Sequence, residues 1–250
     1  PAAAGQWMMW NCVETDPFKK GKAYFVGTKY KSDDFAPYLF KTEDYGKSWT
    51  KITNGITAMH FTRALRADKR RSGLLYCGTE YGMYISYDDG ANWKPFQLNL
   101  PMVPITDMTI KENDLIVATQ GRAFWVLDDL TPVQQKDISI LDKNLFAFSV
   151  NEVYRFDGFQ IPNPKNAGMN PPNGSVINYY VKNISDSAKV SIDILDKNKK
   201  LIKSFSTKAK EKENMIDVSG GMNQFVWNML YPPAEKVDGQ IIWHGTVPGP

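Results

Sequence analysis

The amino-acid sequence predicts an all-β chain, built from a repeated four-strand unit and followed by a second, smaller β domain. Three observations lead there. The frame Thr42-Glu43-Asp44-Tyr45-Gly46-Lys47-Ser48-Trp49 returns as Ser86-Tyr87-Asp88-Asp89-Gly90-Ala91-Asn92-Trp93, with Asp44 and Asp88, Gly46 and Gly90, and Trp49 and Trp93 each 44 positions apart. Short alternating apolar stretches bounded by turn residues surround both copies, a pattern of strands rather than helices. Beyond residue 133 the rhythm breaks, and strand-like runs resume only at Ser175. A repeat of this period, made of short strands, marks a stacked or radial repeat architecture.

The frame has a mechanical logic. A Ser or Thr hydroxyl (Thr42, Ser86) and an Asp carboxylate two residues on (Asp44, Asp88) bond backbone N–H groups in a tight turn. Gly46 and Gly90 supply a backbone angle that a Cβ would forbid. Trp49 and Trp93 then open the next strand and drop a ring between layers. Each copy is a hairpin with a locked turn, and its Asp is a structural residue rather than a catalytic acid.

Taken in order, the first unit has strands over Gln6–Thr15, Lys22–Tyr30, Pro37–Thr42 and Trp49–Ile52, with a turn at Asp16-Pro17 and a polar loop from Lys31 to Ala36. Four antiparallel strands with one locked turn make one propeller blade. The second unit repeats this with Phe61–Ala67, Gly73–Thr79, Gly82–Ser86 and Trp93–Gln97. A third begins with Ile105–Ile110, Asp114–Thr119 and Arg122–Leu127, and its frame has decayed to Asp128-Asp129-Leu130-Thr131-Pro132. Residues 134–174 end in a Pro, Asn and Gly-rich run and read as a linker or wrapping segment. Residues 175–250 carry runs at Val176–Val181, Lys189–Leu195, Leu201–Ser206, Met215–Val218 and Gln224–Leu230, the spacing of an immunoglobulin or fibronectin type III-like sandwich. Three blades do not close a ring, since propellers have roughly 4 to 8. The expectation is therefore a fragment: closing blades over 1–133, then an incomplete sandwich, with the rest of the propeller supplied N-terminally by a removed segment or another chain.

Composition narrows the function classes. Thirty Lys and Arg against 27 Asp and Glu give a net charge of +3, too balanced for a nucleic-acid partner. Arg66, Lys69, Arg70 and Arg71 cluster at an expected turn and read as a solvated hairpin end. Cys12 and Cys77 lack metal-ligand spacing, and with two histidines, His60 and His244, no metal site is expected. Buried thiols are expected, with a disulfide left open. Trp7, Met8, Met9 and Trp10 read as core of the first strand. No phosphate-binding glycine loop is present and no cofactor is expected. No apolar run reaches the roughly 20 residues of a membrane span.

Beyond these residues, the two frames resemble the Asp-box, or BNR, repeat of sialidases and sortilin-type receptors. Three runs, Tyr30–Leu39, Gly73–Glu80 and Ala118–Pro132, are similar to the last blades of large secreted bacterial proteins named as sortilin-type or BNR-repeat glycosyl hydrolases. The tail around Asn170–Gly174 and Asn223–Asn228 is similar to the sandwich that follows their propeller. The resemblance implies an exported location: secreted, periplasmic or cell-surface.

In a four-strand meander the locked turns share one end with the first-to-second turns, while second-to-third loops and sheet crossings share the other. The second end is where propellers usually carry function. It gathers Lys31, Asp33 and Asp34 from the first unit, Arg63, Glu80 and Tyr81 from the second, and Gln120 and Arg122 from the third. Two functions fit: a module binding a peptide, glycan or protein partner at this mouth, or an exo-acting glycoside hydrolase of sialidase-like type. The hydrolase needs a carboxylate pair about 5–9.5 Å apart, or an Arg cluster beside a Tyr nucleophile. Asp33 or Asp34 with Glu80, and Arg63 with Arg122, supply only parts of either, so no complete catalytic constellation is visible. Equally, these residues are of the kind that satisfy loop backbone and one another.

Overall fold

The computed structural model describes residues 7–136, 140, 142–154, 172–185 and 187–232. The chain is all-β and divides into two units, residues 1–134 and 135–250.

The first unit contains three antiparallel meanders. β1 (Met9–Thr15), β2 (Ala23–Lys29), β3 (Asp34–Thr42) and β4 (Thr50–Lys51) form one sheet, and β5 (Thr62–Ala67), β6 (Leu75–Thr79), β7 (Gly82–Ser86) and β8 (Lys94–Pro95) form a second. The third has three strands, β9 (Ile105–Lys111), β10 (Asp114–Thr119) and β11 (Phe124–Leu127), after which α1 (Thr131–Gln135) follows. The polar loop expected at 31–36 is shorter than the sequence indicated. A 3-10 turn over Tyr30–Ser32 ends at Asp33 with φ +59°, and β3 starts at Asp34.

Sheets pack face to face through the apolar faces they present to one another. Between the first and second sheets lie Val26, Leu39, Ile52, Leu65, Cys77, Tyr84 and Trp93. Between the second and third lie Leu74, Tyr76, Met83, Ile85, Ile105, Met108 and Leu115. The other face of the first sheet carries Met8, Phe25 and Phe40, with Phe25 and Phe40 stacked at 4.7 Å and Trp49 edge-on to Phe25 at 4.8 Å. The expectation of an N-terminal core run is corrected here. Met8 alone is buried, while Trp7, Met9 and Trp10 are exposed, Trp10 lying against Phe25 at 4.4 Å.

The two locked turns superimpose bond for bond. Thr42 Oγ1 donates to Asp44 Oδ1 (2.8 Å) and accepts from the Gly46 N–H (2.9 Å); Ser86 Oγ and Asp88 and Gly90 do the same at 2.8 and 2.9 Å. Asp44 Oδ1 takes the Ser48 N–H at 2.9 Å, and Asp88 Oδ1 the Asn92 N–H at 2.8 Å. Gly46 and Gly90 have φ of +85° and +83°. Gly90 is doubly constrained, since a Cβ there would lie 2.6 Å from Ile52 Cδ1.

The second unit has a three-stranded sheet ordered β12 (Leu145–Ala147), β13 (Ser175–Val181), β16 (Gly221–Trp227), and a two-stranded one, β14 (Ser191–Leu195) with β15 (Leu201–Ser206). Phe205 of β15 meets Phe225 of β16 at 4.6 Å. β12 lies inside the stretch expected as a linker and pairs with β13 through Leu145–Val181 to Ala147–Tyr179. Met215–Val218 forms no strand, only a parallel bridge from Met215 to Ser206. Within the expected linker, residues 137–139, 141 and 155–171 lie outside the described residues, as does the tail, 233–250.

Candidate functional site

The two ends of the first unit are distinct. Locked turns and first-to-second turns touch: Tyr45 N–H donates to Gly21 O at 2.9 Å and Asp89 N–H to Gly73 O at 2.8 Å. At the opposite end, second-to-third loops touch the sheet crossings, with Glu80 N–H on Phe61 O (3.0 Å), Gly82 N–H on Val103 O (3.1 Å) and Gln120 N–H on Pro104 O (2.9 Å).

At that mouth end the second sheet holds the best-defined group. Arg63 on β5 reaches Glu80 Oε2 through both Nε and Nη2 at 2.5 Å. Its guanidinium lies 5.2 Å from the Phe61 ring centroid and 5.9 Å from that of Tyr30, and those two rings stack at 5.2 Å. Planar guanidinium on aromatic faces is a stable arrangement that fixes the ion pair's direction. Tyr81, exposed, lies 4.9 Å from the His60 ring, and His60 Nδ1 is 2.8 Å from the Tyr84 hydroxyl. Burial lowers the His60 pKa.

From the first sheet, Asp34 accepts from the Tyr38 hydroxyl at 2.5 Å and from the Ala36 N–H at 3.1 Å. The Tyr38 bond lowers the Asp34 pKa, and Asp34 in turn pushes the phenol up to about 12. Lys31 and Asp33 are exposed, with no side-chain partner among the described residues. In the third sheet Gln120 and Arg122 are exposed, and Arg122 uses its carbonyl to take the Trp125 indole N–H at 2.9 Å. The structure thus pairs Arg63 with Glu80 against Tyr30 and Phe61, and places Tyr81, the residue after Glu80, on His60. No hydrogen bond or ion pair among the described residues links them to Lys31, Asp33, Gln120 or Arg122.

Two groups escaped the sequence reading. β1, β5 and β9 run side by side and line an open cavity of about 440 Å³. Across it Arg66 contacts Asp107 (2.6 Å), Glu14 (3.8 Å) and Cys12 Sγ (3.0 Å), one partner strand on each side. Burial is the largest influence on Glu14 and raises its pKa. Lys69 bonds Ile110 O at 3.1 Å and Arg71 bonds Gln134 O at 2.8 Å, so the basic cluster is structural rather than merely solvated. At the locked-turn end, Lys22 bridges Asp16 (3.2 Å) and Asp89 (2.7 Å), Lys41 reaches Asp89 at 2.8 Å, and the Tyr24 hydroxyl donates to both carboxylates. A spacing could have revealed it. Asp16 lies eight residues before Tyr24 and caps its turn; Asp68 stands likewise before Tyr76.

Cys12 and Cys77 are free thiols, the first half-buried and the second buried. Among the described residues no cluster of His, Cys, Asp or Glu has metal-binding geometry, and no helix is long and apolar enough to cross a membrane.

No protein-family model matches the chain, and no curated protein matches it. Several solved structures are similar. YCF48 bound to D1 peptide aligns at 19% identity and TM-score 0.36, over 48% of this chain and 37% of that one. The Niastella koreensis GH74 enzyme aligns at 14% identity and TM-score 0.40, over 69% and 28%. The GH74 xyloglucanase from Xanthomonas campestris aligns at 12% identity and TM-score 0.39, over 69% and 29%. The chain spans well under half the length of the solved structures it matches.

Proposed function

We propose that the chain is part of a β-propeller binding module whose mouth takes a peptide, glycan or protein partner at Arg63, Glu80 and Tyr81. Lys31, Asp33, Asp34, Gln120 and Arg122 form its polar rim. The observation that carries this is aromatic surface at one loop end: Tyr30 and Phe61 flank the fixed Arg63–Glu80 ion pair, and the exposed Tyr81, next in sequence to Glu80, packs on His60. Flat rings beside a few directed polar groups are the composition of a recognition surface for polar ligands.

The alternative, an exo-acting glycoside hydrolase with most of its active site on further blades, is less well supported by these residues. A glycosidase acid needs a raised pKa. Asp34 is shifted the other way, and Glu80 is held through both nitrogens of the Arg63 fork. We also infer that the open face of the first sheet, with Phe25, Phe40 and Trp49, receives a preceding sheet of the same kind, from the same protein or another chain. An exported or surface location, implied by the family resemblance, belongs to the same proposal.

The test is a glycan and peptide array probed with the full chain, alongside assays of sugar release from oligosaccharides. A ligand whose binding Tyr81→Ala weakens, without turnover, supports the binding module. Sugar release abolished by Glu80→Gln would overturn it in favour of the hydrolase.

A further inference from the structure

Both complete sheets end in the same way. Trp49-Thr50-Lys51-Ile52 and Trp93-Lys94-Pro95-Phe96 each give a two-residue fourth strand followed by a large apolar residue. That residue's N–H bonds the third strand: Ile52 to Leu39 O at 2.9 Å, Phe96 to Met83 O at 2.8 Å. Among the described residues the third sheet has no such strand. Leu130 is buried, its N–H bonds Asn113 O at 2.7 Å, and Gln134 reaches Asp68 at 3.0 Å, so the chain turns away from β11 into α1. Among the described residues nothing pairs with the outer edge of β11.

We propose that this edge is a strand-addition site for an extended peptide from a partner chain, with the pattern aromatic–x–x–large apolar. The register locates it. Tyr76 faces Ile85 and Cys77 faces Tyr84 as Ile116 faces Val126 and Val117 faces Trp125, so Val126 and Trp125 occupy the places of Ile85 and Tyr84. β8 lies on Tyr84 and Ile85; the added strand lies on Trp125 and Val126. Phe124 takes the place of Met83, whose carbonyl receives the fourth strand, so the outward backbone groups are those of Phe124 and Val126. Their side chains are 76% and 52% exposed, without the charges or proline that usually guard a free edge.

A second observation selects the aromatic residue. A cavity of about 50 Å³ lies between Phe96 and Leu100 of the second sheet and Val117, Trp125 and Leu127 of the third. In the preceding interface the equivalent place, between Ile52 and Cys77 with Tyr84, is filled by Trp93, whose indole donates to Ile52 O. Phe96 follows β8 as Ile52 follows β4, so its carbonyl stands ready for the same bond. Main-chain pairing for affinity and one side-chain slot for selectivity is the usual form of peptide strand addition. The inference depends on the equivalence of the sheets, not on any function of the mouth.

The experiment uses the full chain and a synthetic peptide with the sequence of residues 88–97, followed by hydrogen exchange and Trp fluorescence. Saturable binding at up to about millimolar peptide is expected, with exchange slowed at Phe124 and Val126. Replacing the peptide's tryptophan by alanine, or making Val126→Pro in the protein, lowers affinity at least about tenfold. Phe124→Lys serves as a second edge variant should Val126→Pro unfold. Absence of saturable binding, or binding indifferent to these changes, overturns the proposal. So does strong protection of the Phe124 and Val126 amides in the free chain, which would assign the edge to a segment of the chain itself.

Discussion

The indole N–H of Trp93 donates to the carbonyl of Ile52 at 2.8 Å, pinning the end of one locked turn to the strand exit of the sheet before it. Trp49, at the same position of the earlier copy, donates instead to Gly46 of its own turn at 3.0 Å and stays partly exposed. One sequence element therefore does two jobs: it closes a hairpin everywhere, and it joins sheets wherever a preceding sheet is in place.

Trp93→Ala should cost about 3–5 kcal/mol in chemical denaturation, the range for removing a buried aromatic. Trp49→Ala should cost clearly less in this chain, because its ring lies on an open face. Equal losses would contradict the interface role assigned to Trp93.

The locked turns should fail in acid. Hydrogen bonds from Ser48 hold the Asp44 pKa at about 2, below its ordinary 3.8, and the same kind of network lowers Asp88 despite its burial. A depressed carboxylate stabilises the fold above its unfolded pKa, and that contribution is lost as pH falls through the folded one. Unfolding midpoints should thus drop between about pH 4 and 2, and Asp44→Asn should flatten that slope. A slope unchanged in Asp44→Asn with Asp88→Asn would show that the turns do not govern it.

Asp89 ties Lys22, Lys41 and Tyr24 together in a half-buried cluster. Asp89→Ala leaves Lys22 buried with Asp16 as its remaining carboxylate and should destabilise by about 3–5 kcal/mol. Lys22→Met with Asp89→Leu, which removes the charge on both sides, should recover much of that loss in thermal melts.

The two thiols should differ in reactivity. Burial pushes the Cys77 thiol far up, whereas Cys12 lines the open cavity beside Arg66. Brief alkylation of the native chain followed by peptide mass analysis should find Cys12 modified and Cys77 intact. Modification of Cys77 first would mean that the first two sheets separate readily.

Much of the first unit was legible because its information is local. Turn residues, alternation and a four-position frame fix each hairpin, and β7, β10 and β15 have the bounds read from sequence. The interior of the second unit was less so. β12 is a three-residue strand with no turn signal of its own, and only pairing with β13 defines it. The site divides along the same line. Arg63, Glu80 and Tyr81 lie at the loop ends where topology puts them. Their company of Tyr30, Phe61 and His60 depends on how two sheets stack, which no spacing encodes. The Arg66 bridge over β1, β5 and β9 was hidden for the same reason, its partners Glu14 and Asp107 being 52 residues before it and 41 after.

The most direct test compares mouth and turn variants on one ligand taken from the array. Tyr81→Ala should weaken binding by about tenfold or more while leaving the melting transition nearly in place, and Arg63→Ala should weaken it as much in the fraction that remains folded. Asp44→Asn and Asp88→Asn should lower the melting transition and spare affinity in the fraction that remains folded. The reverse result, with affinity lost on changing Asp44 or Asp88 in a stably folded chain and unaffected at Arg63 and Tyr81, would contradict the account.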